Sequence, residues 1–165
     1  PDDIGLDRRG SLSNDAARRR QKLEILTTAQ ASNTMTEQLI TTIGQAIMRS
    51  AKTSAPEWDY AGYMFETKDG ISSSGTKFIF HDGKRLPLDL DRTGRRAITD
   101  SFKQLRSETQ IDGDAPWIKC LAVLRRDGDM KMLFEFNDWS RWTISPATVD
   151  QAYAILVGEI FPETK

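Results

Sequence analysis

The amino-acid sequence predicts an α+β fold in which helices pack against one mainly antiparallel sheet, in the order α-β-β-(β)-α-β-β-α. Three observations carry this. Two period-two runs, Ile118, Cys120, Ala122, Leu124 and then Met132, Phe134, Phe136, flank Arg126, Asp127, Gly128 and Asp129. Asp-Gly between such runs signals a hairpin, because a tight primed turn needs positive φ at its central residues and Gly accepts that without strain. Elsewhere, apolar residues at Leu39, Ile40, Ile43, Ala46 and Ile47, and again at Ile98, Phe102 and Leu105, keep helical spacing. Strands joined by short turns pair antiparallel.

Residues 35 to 55 form the first expected helix, ended by Pro56, which disfavours the helical conformation at Ala55. Residues 60 to 67 and 76 to 81 read as strands rich in aromatic residues. Between them Asp69, Gly70, Ser72, Ser73, Ser74 and Gly75 read as a loop. Residues 86 to 90 suit a short edge strand, since Pro87 cannot donate a ladder hydrogen bond in a sheet centre. A second helix is expected over residues 93 to 109, with Arg95, Arg96, Lys103 and Arg106 outside. After the hairpin, Ser145 and Pro146 mark the start of a third, a capping residue followed by the proline favoured in a first turn. Val149, Ala152, Tyr153, Leu156 and Ile160 carry it to Pro162.

Residues 1 to 34 differ in kind, being charged and free of Phe, Tyr and Trp. They read as an extension outside a single domain of residues 35 to 165, and Met35, Thr36, Glu37, Gln38 and Leu39 read like a fresh N-terminus. Within the extension, Asn14 suits the cap of a helix running through Arg18, Arg19, Arg20 and Lys22 to Leu26. That basic run suits an acidic partner or nucleic acid, and equally a solvated face.

Composition narrows the functional classes. A chain of 165 residues buries a core without disulfides or metals. Its 23 basic and 24 acidic residues nearly cancel, so no global field draws it to nucleic acid. Cys120, the single cysteine, makes no internal bridge and alternates inward as a small hydrophobe. No run approaches the roughly 20 apolar residues of a membrane helix, and the start lacks the apolar stretch of a secretory signal. A cytoplasmic address with no membrane partner is the expectation.

Catalytic chemistry finds little purchase. His81 is the only histidine, so a site of several imidazoles is excluded. It stands beside Asp82, which can orient a catalytic imidazole or simply share a turn hydrogen bond. Gly70 and Gly75 bracket serines without the lysine of a phosphate cradle. Asp112 and Asp114 offer a cation only two side-chain ligands. The expectation is no catalytic residue, no cofactor and no metal.

Binding is the better reading. Residues 116 to 142 hold three of the four tryptophans, and past the second hairpin strand come Asp138, Trp139, Arg141 and Trp142. Large aromatics beside Arg and carboxylates anchor protein interfaces; they also plug the open end of a small core. Glu66, Asp69, Asp82, Glu135 and Asp138 fall at strand ends and loops, where a shared rim would face a basic partner and each alone would be a solvating charge.

The order of motifs resembles the YezG-like immunity proteins of bacterial polymorphic toxin systems, long known as a domain of unknown function. Phe102, Leu105 and Arg106 lie on a helix, then follow Gly113, Pro116 and Trp117, a strand, Asp127 and Gly128, an acidic aromatic strand and Pro146. The resemblance spans roughly residues 35 to 161, including Glu57 and Trp58, and rests on the ordered combination. Residues 1 to 34 lie outside it, and Trp139 with Trp142 makes the loop more aromatic than the family pattern.

What the resemblance implies is an inhibitor that binds and neutralises a cognate secreted toxin domain, often a nuclease. The expected contact set is Glu135, Asp138, Trp139, Arg141 and Trp142, with Glu66, Asp69 and Asp82. The alternatives are a small enzyme using His81 and nearby carboxylates, or a nucleic-acid module using Arg18 to Arg20 or Arg92 to Arg96.

Overall fold

A computed structural model describes residues 25–27 and 35–162 of the chain. Two helices, α1 (Met35–Ser54) and α2 (Arg92–Glu108), accompany strands β1 (Ile25–Thr27), β2 (Tyr60–Thr67), β3 (Ser73–His81), β4 (Lys84–Leu86), β5 (Lys119–Arg125) and β6 (Met130–Glu135). The strands form one six-stranded sheet in the order β1-β6-β5-β2-β3-β4, and every pairing is antiparallel. The expected α+β class holds.

The sheet is covered on both sides. Ile40, Ile43 and Ile47 of α1 and Ile98, Phe102 and Leu105 of α2 pack on one face with Ala61, Phe65, Cys120, Ala122 and Phe134. Phe102 stacks on Phe65 at 5.1 Å. The opposite face, carrying Tyr60, Met64, Phe78, Leu121 and Val123, is covered by Trp142, Leu156, Val157 and Phe161. Burial on both faces explains why β5 reads Lys-Cys-Leu-Ala-Val-Leu-Arg, nearly unbroken apolar residues between two charges. Cys120 is fully buried, and desolvation pushes its thiol well above its ordinary pKa.

Several boundaries differ from the sequence reading, each for a local reason. Leu26, expected at the end of a helix, lies in β1 paired with β6, so residues 25 to 27 of the charged extension join the sheet. The rest of the expected helix lies outside the described residues. Strand β3 begins at Ser73, because Ser73, Ser74 and Gly75 pair with Thr67, Glu66 and Phe65 in place of looping. Gly75 is required there: a Cβ would sit 2.1 Å from the Tyr63 hydroxyl. The edge strand falls at Lys84–Leu86, ahead of Pro87, and is the outermost strand. α2 starts one residue earlier than expected because Asp91 Oδ1 accepts the Gly94 N–H at 2.6 Å.

The Asp127-Gly128 turn is not the expected tight primed turn. Gly128 alone takes positive φ (97°), its N–H bonding Arg125 O at 2.9 Å while Arg125 N–H bonds Asp129 O at 2.8 Å. The extra residue makes this a type I turn closed by a left-handed Gly. A second Asp-Gly, Asp82 and Gly83, supplies the primed geometry, with φ of 47° and 71° between the paired residues His81 and Lys84.

The third helix is also modified. Pro146 lies in a turn where Thr148 Oγ1 accepts the Ser145 N–H at 2.9 Å. A 3-10 turn (Val149–Gln151) then leads into a π-helical stretch (Ala154–Gly158). Of the expected apolar positions, Ala152, Leu156 and Ile160 are buried, Tyr153 is half-buried and Val149 is exposed, while Val157 and Phe161 are buried as well.

Candidate functional site

The acidic aromatic segment folds back over one end of the sheet. Register aligns Glu66 of β2, Lys119 of β5 and Glu135 of β6 in one cross-strand row. Lys119 points to the same face as Leu121 and Val123 and is fully buried. Its ammonium has three donors and three acceptors: Thr143 Oγ1 at 2.9 Å, Arg141 O at 3.0 Å and Glu66 Oε2 at 3.2 Å. A buried charge is tolerated when its hydrogen bonds and its counter-charge are both supplied. The lysine therefore pins the loop after β6 to the sheet.

Glu135 organises the same loop from the other side. Oε1 accepts the N–H groups of Phe136, Asn137 and Asp138 at 2.9, 2.9 and 3.0 Å, and Oε2 pairs with Arg141 at 2.9 Å. Burial raises its pKa, but the hydrogen bonds from Asn137, Asp138, Arg141 and Phe136 outweigh it, and the carboxyl stays below its usual range. Asp138 is lowered chiefly by the Ser140 hydroxyl, 2.6 Å away.

Arg141 bridges Glu135 and Glu159 and lies 4.3 Å above the Trp142 ring. Trp142 takes φ of 59°, a left-handed conformation rare for a bulky side chain. Its ring is 3% exposed and its Nε1–H donates to Glu159 Oε2 at 3.0 Å. Burial and this hydrogen bond hold the strained backbone in place.

The expected contact residues therefore divide. Trp142 is a core ring, as is Trp117 outside the expected set, which packs against Phe65 and Phe134 and donates from Nε1 to Thr109 Oγ1 at 3.0 Å. Trp139, 46% exposed, stands out from the braced loop beside exposed Asp138. Glu66 is tied to Lys119 and accepts the Ser74 hydroxyl at 2.8 Å. Asp69 lies beyond the end of β2 and accepts the N–H groups of Ile71 and Ser72 at 2.9 and 3.0 Å, which lower its pKa. Asp82 is at the opposite end of the sheet, past β3.

At that opposite end His81 lies between two carboxylates. Its Nδ1 is 3.4 Å from Asp59 Oδ2 and its Nε2 is 3.4 Å from Asp82 Oδ2. Asp59 Oδ2 also accepts the Asp82 N–H at 2.7 Å. Asp59 lines a shallow cleft of about 550 Å³ with Tyr60, Arg125, Arg126, Asp127 and Tyr153. Asp59, His81 and Asp82 each bring a nitrogen or oxygen atom within 4.8 Å of the others. On α2, Arg92, Arg95, Arg96 and Lys103 share one cleft with Thr99 and Asp100.

Sequence reasoning missed Lys119, Thr143, Glu159 and Asp59. A signal for Lys119 existed: it is in phase with Leu121 and Val123, so a strand buried on both faces had to bury it. The others are recognised only through partners distant in sequence. No helix of the described residues is long and apolar enough to cross a membrane. Comparison with protein-family models and with curated proteins gives no match to the chain.

Proposed function

We propose that this protein is an immunity protein that binds a cognate secreted toxin domain, a nuclease being the class that suits its exposed Asp138, and neutralises it by direct contact. The observation that supports this reading is Trp139, a large ring exposed at 46% on a loop tied to the sheet through Arg141 and Thr143. A rigid aromatic anchor loses little conformational freedom on binding, and such rings carry much of an interface's energy. Asp138 beside it adds a carboxylate for the Lys and Arg side chains with which a nuclease holds phosphates. The ordered motif resemblance points the same way. In this reading Glu135, Arg141, Trp142 and Glu66 position the loop, while Trp139 and Asp138 meet the partner.

The test is capture of the tagged protein from its native cell, followed by mutation against the toxin domain recovered. Trp139→Ala should weaken binding by about 30-fold or more, equivalent to about 2 kcal/mol, with the thermal midpoint unchanged. Unchanged affinity would remove Trp139 as the anchor. A second reading rests on Arg92, Arg95, Arg96 and Lys103 on one side of α2. It requires binding to nucleic acid alone that falls steeply with salt.

A further inference from the structure

We propose that Asp59, His81 and Asp82 form a binding site for a divalent transition-metal ion, with zinc as the representative case. Three features converge. His81 Nδ1 is a buried atom without a hydrogen-bond partner, although a carboxylate oxygen lies 3.4 Å from it. That separation is long for a hydrogen bond, yet two ligands on a tetrahedral ion stand about 3.4 Å apart when each bond is about 2.1 Å. One nitrogen of His81 and one oxygen from each aspartate all lie within 4.8 Å of one another, wider than the roughly 4.2 Å that opposite ligands span on bonds of about 2.1 Å, so the side chains close by a few tenths of an ångström on binding.

The backbone holds these groups from different parts of the chain. His81 ends β3, and Asp82 occupies the first position of the primed turn, where its φ of 47° fixes the direction of the side chain. Asp59 precedes β2, with its N–H bonded to Phe80 O at 2.8 Å and its carboxylate bonded to the Asp82 N–H at 2.7 Å. An imidazole with carboxylates suits first-row divalent ions better than magnesium or calcium, which take oxygen ligands. Nδ1, facing Asp59, binds the ion, and the exposed Asp82 side chain turns from Nε2, 3.4 Å away, to complete the ligand set. Water completes the shell, since Asp82 is exposed. The bound ion joins the entry to β2 to the β3–β4 turn.

His81 is the only histidine in the sequence, so the imidazole nitrogen resonances of the tag-free protein report on this site alone. Titration with zinc chloride should shift them and saturate at one equivalent below millimolar zinc, and the same zinc should raise the thermal midpoint. Asp59→Asn and Asp82→Asn should each weaken binding about tenfold or more. Asn keeps an acceptor for the Asp82 N–H in the first variant and tolerates positive φ in the second, so both should fold. Ring signals that do not move, saturation only in millimolar zinc, or Asn variants that bind as the parent does would each overturn the proposal.

Discussion

Both ends of the sheet gather carboxylates around a nitrogen-bearing side chain, yet they behave oppositely. At the Lys119 end, Glu66, Glu135 and Arg141 are consumed internally, and their hydrogen bonds carry the loop that presents Trp139. At the His81 end, carboxylates converge on an imidazole at 3.4 Å on either side, with one ring nitrogen left without a hydrogen bond. One end is closed by its own hydrogen bonds, and the other leaves a buried ring nitrogen without one. An acidic residue at a strand end is thus a brace or a ligand according to what faces it.

Mutations at the closed end should break this contrast most visibly. Trp142→Ala removes a buried ring together with its bond to Glu159 and should cost about 3–5 kcal/mol in urea unfolding. Lys119→Ala strips the ammonium from Thr143, Arg141 and Glu66 and should cost about 3 kcal/mol, the lower part of the range for a broken buried pair because Glu66 is partly exposed. If that variant is as stable as the parent, the loop is not pinned by the lysine.

The Glu135 carboxyl sharpens the comparison through pH. Its folded pKa is lowered, so its stabilisation is fully present above the unfolded value and is lost as pH falls through the folded one. The urea midpoint should therefore drop on acidification through and below the ordinary carboxylate range. Glu135→Gln should flatten that dependence. The smallest effect is expected at the open end, where Asp82→Asn without added metal should change stability by no more than about 0.5 kcal/mol, read from the same unfolding curves. A larger loss would make the Asp82 carboxylate a brace like Glu135.

Several elements were legible because their signals are local. β2 needed only its aromatic content between turn residues, α1 its apolar stripe and the terminating Pro56, and the last hairpin its two runs around Asp-Gly. Turn type was less legible. The same dipeptide gives a primed turn at Asp82-Gly83 and a type I turn with a left-handed Gly at Asp127-Gly128, because the number of residues between paired positions decides the geometry. The candidate loop was recognised from its composition, but not which ring would stay exposed. Trp139 and Trp142 are three residues apart in the same setting, and only the covering of the second sheet face separates them.

The sequence by itself determined the α+β class, most element positions, the buried cysteine and the absence of a multi-histidine metal site, since each follows from periodicity, turn residues or counting. Tertiary structure alone decided that Lys119 is buried, that Glu135 and Glu66 face inward to partners, and that Asp59 meets His81 and Asp82. Several of these contacts join residues distant in sequence, as in Lys119 to Thr143, 24 positions apart, and Asp59 to Asp82, 23 apart. Local patterning sets which face a residue takes; the strands and loops that come to lie against that face are fixed by long-range pairing.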